Sequence, residues 1–238
     1  MKFAVIQFPG SNCDQDCLRA INGLGDGLRA EYVWHKAASL AGFDAVVLPG
    51  GFAYGDYLRC GAIARFSPIM NDVVRAAKEG RLVLGTCNGF QVLCEAGLLP
   101  GALVRNRGLR FVCDMVRLRI EVPDSAFTHR CPQGTILRMP IAHGEGCYFA
   151  DANTLRELNA NGQVVMRYCD ATGATSPESN PNGSIENIAG ICNREGNVFG
   201  LMPHPDRACD ARLGSADGAR IFLSMAETIL AGRAKAAA

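Results

Sequence analysis

The chain has 238 residues, enough to bury a full core without staples, and on a prior of about 100 to 200 residues per domain it forms one domain over 1–238. Hydrophobic residues make up 48% and charged residues 20%, which excludes global disorder. Lys and Arg number 24 against 23 Asp and Glu, a formal charge of +1, so no long-range field favours nucleic acid or an anionic membrane as a partner.

Residues 2–8 read as an apolar strand ended by Pro9-Gly10. Ser11 or Asn12 is placed to cap a following helix whose first turn carries Asp14 and Asp16. The apolar run before Gln7 is too short for a secretory leader or a membrane span, which predicts a cytoplasmic protein. Strands follow at 31–34 and 45–48, the latter a continuous apolar run suited to a parallel strand covered on both faces. Helical patterns at 69–79 and 91–97 bracket a strand at 82–84. From about residue 110 the rhythm changes: 115–122 alternates apolar and polar side chains, and 135–141, 163–168, 185–192 and 197–202 also read as strands. A helix is predicted over 217–231, with a frayed tail at 233–238. These elements predict an α/β fold: a flavodoxin-like open mixed sheet with a mostly parallel core, added antiparallel strands and helices on both faces.

The densest chemical signal is Gly85-Thr86-Cys87-Asn88-Gly89, between a buried strand and a helix. This is the nucleophile-elbow pattern with sulfur in place of oxygen: the flanking glycines relieve crowding in a strained turn that lifts the central side chain above the strand end. The helix N-terminus behind it favours a thiolate and can hold an oxyanion. The plain alternative is a buried cysteine beside an ordinary turn. A thiol nucleophile needs a base, and the chain offers His35, His129, His143 and His204. His204 follows an apolar strand, so it emerges at the rim where open α/β sheets place their sites. Asp206, two residues on, can accept from its Nδ1 if Pro205 keeps the chain extended; a surface turn is the plain alternative. His35 and His129 sit in polar surroundings that suit solvated side chains. Gly50-Gly51 ends the third strand and can bring a backbone N–H close to a ligand at the same rim.

Eleven cysteines without a C-x-x-C pair fit a reducing compartment. Cys13 and Cys17 beside Asp14 and Asp16 are a poor match to one metal, so no metal site is expected. Cys113, Cys147, Cys169 and Cys192 read as small buried hydrophobes.

Cys87 in its elbow, the distant His204-Pro205-Asp206 and the Gly50-Gly51 turn together resemble a class I, triad-type glutamine amidotransferase. The segments beginning Phe8-Pro9-Gly10, Pro49-Gly50-Gly51-Phe52, Tyr54-Gly55-Asp56, His143-Gly144-Glu145 and Asn180-Pro181-Asn182 are similar to the free-standing glutaminase subunits of phosphoribosylformylglycinamidine synthase. The resemblance implies that Cys87 attacks the side-chain amide of glutamine, that His204 moves protons and that Asp206 orients it. It further implies that the Gly51 and Asn88 amides form the oxyanion hole, and that Gln91 and the loop of His143, Gly144 and Glu145 seat the glutamine. Ammonia would pass to a synthetase subunit, with a small accessory subunit in the complex. No cofactor is expected on this chain, since ATP and Mg would bind the synthetase. That agrees with the absence of a G-x-x-x-x-G-K-[ST] or G-x-G-x-x-G phosphate loop. The pattern of these subunits carries Glu where this chain has Asp206, one methylene shorter. Two other readings stay open on the residues: a stand-alone thiol hydrolase or chaperone of the DJ-1 and PfpI type, which usually places histidine where Asn88 stands, and a non-catalytic flavodoxin-like binding module.

Overall fold

The computed structural model describes residues 1–25 and 27–237. In chain order it runs β1 (Lys2–Gln7), α1 (Asp14–Asn22), β2 (Arg29–Trp34), β3 (Ala45–Leu48), α2 (Pro68–Lys78), β4 (Leu82–Thr86), α3 (Asn88–Glu95), β5 (Ala102–Val104), β6 (Val112–Ile120), β7 (Ile136–His143), β8 (Cys147–Phe149), α4 (Ala152–Ala160), β9 (Val164–Cys169), β10 (Ile188–Cys192), β11 (Val198–Leu201) and α5 (Ala219–Ala237). A nine-stranded sheet has the order β2-β1-β3-β4-β11-β10-β9-β6-β7, with β5 and β8 as a separate pair. Strands β2 to β11 in that order pair in parallel, and every pairing beyond β11 is antiparallel. The open mixed sheet anticipated above is therefore present.

Alternation along the central strands divides the core in two. Phe3, Val5, Ala45 and Val47 face one side with Ile21 of α1 and Ile221, Phe222 and Met225 of α5. Ala4, Ile6, Val46 and Leu48 face the other, with Val73 of α2, Phe90 of α3 and Leu158 of α4. A strand buried on both faces has no polar side to show, which is why β3 and β4 read as unbroken apolar runs.

Several expectations need correction. Cys13, rather than Ser11 or Asn12, is the N-cap of α1, and it makes no side-chain cap bond. The short helix α4 was not anticipated, although Asp151 caps it by accepting from the Asn153 and Thr154 amides. The first part of the strand expected at 185–192 is a 3-10 turn over Ile185–Asn187, and only Ile188–Cys192 is extended. The tail expected to fray from residue 233 continues α5 to Ala237; residue 238 lies outside the described residues.

Candidate active site

Register places the candidate side chains at one rim. Leu48 of β3 pairs with Gly85 of β4, and Thr86 of β4 with Leu201 of β11, so the C-terminal ends of three adjacent parallel strands deliver Gly50-Gly51, Cys87 and His204 to the same level. Cys87 sits between β4 and α3 with φ 50° and ψ −108°, a backbone conformation that costs any residue bearing a Cβ. Its amide donates to the Leu201 carbonyl at 2.8 Å, which ties the elbow to β11. The flanking glycines are required by packing: a Cβ at Gly85 would stand 2.7 Å from the Gly89 carbonyl carbon, and one at Gly89 would overlap the Leu48 carbonyl oxygen. The strained turn is thus held by close contacts on both sides.

His204 and Asp206 are both buried, with Nδ1 to Oδ2 at 3.4 Å. The contact is not made along an extended segment as expected: Pro205–Arg207 is a 3-10 turn, and it is this turn that brings the carboxylate to Nδ1. At 3.4 Å it is a long hydrogen bond, as befits a carboxylate one methylene short. Burial acts to lower the His204 pKa, but the Asp206 carboxylate and the Cys87 sulfur outweigh it and hold the imidazole above its ordinary value. His204 Nε2 is buried without a hydrogen-bond partner among the described residues. Cys87 and His204 line one cavity of about 140 Å³ with Gly51, Phe52, Phe111 and Ala142. Gly50 lies between them: a Cβ there would be 2.7 Å from His204 Cε1 and 3.3 Å from Cys87 Cβ.

A second cavity of about 200 Å³ opens from the same sulfur and is lined by Asp56, Cys60, Gln91, His143, Gly144 and Glu145. Gln91 and Asn88 build its wall rather than projecting freely: Asn88 Nδ2 donates to Gln91 Oε1 at 2.8 Å, Gln91 Nε2 donates to the Glu145 carbonyl at 2.6 Å, and the Ala53 amide donates to Asn88 Oδ1 at 3.1 Å. Gly51 turns with φ 136°, a conformation suited to glycine, and a Cβ there would be 2.7 Å from the Asn12 amide nitrogen. Asn88 opens α3, so its amide has no partner within the helix and is free to meet an oxyanion. The structure brings the sequence-selected residues together around Cys87, with His143 at the periphery.

The His143 ring is tied to the scaffold, Nδ1 to Asn106 Oδ1 at 3.2 Å and Nε2 to Asn182 Nδ2 at 3.5 Å. Burial and the nearby His204 push its pKa down to about 4. An unfolded histidine titrates near 6.5, so between about pH 6.5 and 4 the unfolded chain binds the additional proton, and stability falls as pH drops. We expect His143 to account for about 2 kcal/mol of lost stability between pH 7 and pH 5. His143→Gln should remove that part of the pH dependence in urea unfolding; an unchanged slope would refute the assignment.

Other residues missed by the sequence reading matter here. Asp56, in a segment where Tyr54, Asp56 and Leu58 all have positive φ, puts its carboxyl into the second cavity. Burial, and the carboxylate of Glu145 beside it, push its pKa up; Asn88 Nδ2 donates to it at 3.2 Å, and it forms no ion pair among the described residues. Only the strained loop, invisible to periodicity, aims it inward. Cys13 also lines the first cavity, beside His204. His35 is buried rather than solvated, its Nδ1 2.7 Å from the Tyr54 hydroxyl. Cys113 is exposed and Cys147 half-buried, correcting their reading as core residues; Cys169 and Cys192 are buried. Both displaced cysteines lie on short or edge-proximal strands where one face meets solvent.

Residues 1–218 match the CobB/CobQ-like glutamine amidotransferase domain. The chain is 59% identical to the phosphoribosylformylglycinamidine synthase subunit PurQ of Gloeobacter violaceus, covering 97% of this chain and 99% of that one. It is 54% identical to the PurQ subunit of Acaryochloris marina over 97% of this chain and 98% of that one. The chain belongs to the PurQ family of glutamine amidotransferases. A chain from the structure of PurLQS from Thermotoga maritima matches at TM-score 0.85 and 41% identity, covering 96% of this chain and 98% of that chain. A glutamine amidotransferase from Thermotoga maritima at 16% identity shares the fold at TM-score 0.61, with 96% and 97% covered. As a PurQ-family amidotransferase the chain is an enzyme, and the readings as a DJ-1 or PfpI-type hydrolase or as a binding module give way. No described helix is long and apolar enough to cross a membrane.

Proposed function

We propose that this chain is the glutaminase subunit of a phosphoribosylformylglycinamidine synthase, working in the cytoplasm as one amidotransferase domain over 1–238. It hydrolyses glutamine and delivers ammonia to a synthetase subunit, with a small accessory subunit in the complex, for conversion of formylglycinamide ribonucleotide to formylglycinamidine ribonucleotide in purine biosynthesis. The observation that carries the reading is Cys87 at a strained elbow, sharing a cavity with a buried, carboxylate-backed His204.

Cys87 Sγ gives its proton to His204 and attacks the side-chain carbonyl carbon of glutamine. The electron pair of the C=O bond moves to oxygen, where the Gly51 and Asn88 amides stabilise the oxyanion. His204, protonated and oriented by Asp206, gives its proton to the departing nitrogen, and the C–N bond breaks to release ammonia and leave a glutamyl thioester. Water then adds with His204 as base, and glutamate leaves as the thiol is restored. Gln91, Gly144 and Glu145 shape the pocket, and His143 supports it from behind as a positioning residue. ATP and Mg belong to the synthetase, and no cofactor is assigned to this chain.

Free glutamine also carries an α-ammonium, and Asp56 is the pocket carboxylate without a cationic partner. Glu145, by contrast, lies 3.7 Å from Arg105. Asp56→Asn should raise the KM for glutamine about tenfold and leave kcat within about twofold, since a charge-assisted contact to the ground state and the transition state alike is lost. Steady-state kinetics decide it; an unchanged KM would remove Asp56 from substrate binding.

The function itself is tested by mixing the chain with its synthetase, ATP and formylglycinamide ribonucleotide. Product should form from glutamine only when this chain is present, whereas added ammonium should support synthesis without it. Glutamine-dependent synthesis in its absence would defeat the proposal.

A further inference from the structure

Around His204 the structure holds more ligating atoms than glutamine hydrolysis uses. One atom each from Cys13, His204 and Asp206 lie within 4.8 Å of one another, and all three residues are buried. The thiol comes from the N-cap of α1 and the other two from the turn after β11, so the fold itself brings them together. Two polar atoms of the group, His204 Nε2 and Asp206 Oδ1, are buried without a hydrogen-bond partner among the described residues. Buried polar atoms are ordinarily paired, so these two positions stand open, Nε2 to a metal once its proton has left.

Sulfur, imidazole nitrogen and carboxylate oxygen are the three ligand types that tetrahedral zinc takes, at about 2.3 Å for sulfur and 2.0 to 2.2 Å for nitrogen or oxygen. Ligand atoms around such an ion stand roughly 3.3 to 3.8 Å apart, so closure asks for movements of about 1 Å. Arg207 Nη2 donates to Cys13 Sγ at 3.1 Å, and its partly exposed side chain can leave the sulfur for Asp16, which it already holds at 2.9 Å. Cys13 meets its co-ligands not in Cys17 and the neighbouring carboxylates but in an imidazole and a carboxylate from the far end of the chain.

We propose that Cys13, His204 and Asp206 form an inhibitory site for Zn²⁺, with the fourth position left to water. Binding releases the Cys13 thiol proton and the extra His204 ring proton to solvent water, forms the metal–sulfur, metal–nitrogen and metal–oxygen bonds, and occupies the imidazole that Cys87 needs. The inhibition rests on the glutaminase reading, whereas the binding does not.

Metal binding is therefore read without turnover, with Co²⁺ as the spectroscopic probe and Zn²⁺ displaced by a chromophoric chelator, on the full chain. The wild type should bind one equivalent at the site and show a thiolate-to-cobalt charge-transfer band. Cys87→Ala should keep the band, and Cys13→Ser should lose it. Each variant's zinc sensitivity is taken against its own metal-free rate, and the zinc concentration for half inhibition should rise at least about 100-fold in Cys13→Ser. A Cys13→Ser chain that binds Co²⁺ like the wild type, or a Cys87→Ala chain that loses the band, overturns the site. If Cys13→Ser does not fold, the double variant Cys87→Ala/His204→Ala decides: the band must vanish there while persisting in Cys87→Ala. A wild-type chain that binds zinc at this site but never hydrolyses glutamine would sink the glutaminase reading and leave the metal site standing.

Discussion

Cys87→Ala is expected to lower glutamine hydrolysis by at least about 10,000-fold, since the elbow thiol is the one set against the Gly51 and Asn88 amides and members of a catalytic group fail together. In the complex, synthesis from added ammonium should continue, because the substitution touches only the production of ammonia. A parallel stability measurement separates this from damage to the fold. At φ 50° and ψ −108° the elbow stores strain of about 1 to 3 kcal/mol that glycine would not feel. Cys87→Gly should therefore be inactive yet unfold thermally no lower than Cys87→Ala. Retained glutaminase activity in either variant would dismiss Cys87 as the nucleophile, and a collapse in stability of Cys87→Gly would dismiss the strain.

Gly50→Ala is expected to cost about 100-fold in kcat/KM for glutamine. The added methyl would stand 2.7 Å from His204 Cε1, 3.1 Å from Cys13 Sγ and 3.3 Å from Cys87 Cβ, so either the imidazole or the β3 loop must move by some tenths of an ångström. Gly50 does not have a positive φ, so alanine is tolerated by the backbone and the loss would report on crowding at the catalytic pair. Gly108→Ala, whose Cβ would meet nothing within 4 Å, is the control. Wild-type turnover in Gly50→Ala would mean that the pair is less closely set than the structure has it.

The parallel core was readable because β1, β3 and β4 carry local signals: apolar runs broken by Pro-Gly or Gly-rich turns. The elbow was readable for the same reason, since Gly85 and Gly89 are spaced by the demands of one turn. What could not be read were features made by long-range contact. His35 looks solvated in sequence, and only the return of Tyr54 across it provides its hydrogen bond. Asp56 depends on a run of left-handed residues that no propensity predicts. Asp206 was paired with the right ring through the wrong local geometry, because Pro205 starts a tight turn where an extended segment was expected. In sequence the neighbour of Cys13 is Cys17, whereas its chemical neighbours lie some 190 residues downstream, as its 3.1 Å contact with Arg207 shows.

The last strand of the sheet has a role beyond widening it. β7 bears Pro140 and lies at the margin of the sheet, paired only with β6. The Pro140 carbonyl accepts the His204 amide at 2.8 Å, and the Ala142 carbonyl faces Cys87 Sγ at 3.8 Å. Trimming this protein to a minimal unit of its five parallel strands would keep the elbow and discard the clamp on the imidazole. Shortened versions built for engineering should therefore retain the hairpin of β6 and β7, even though it contributes no residue to the proton transfers.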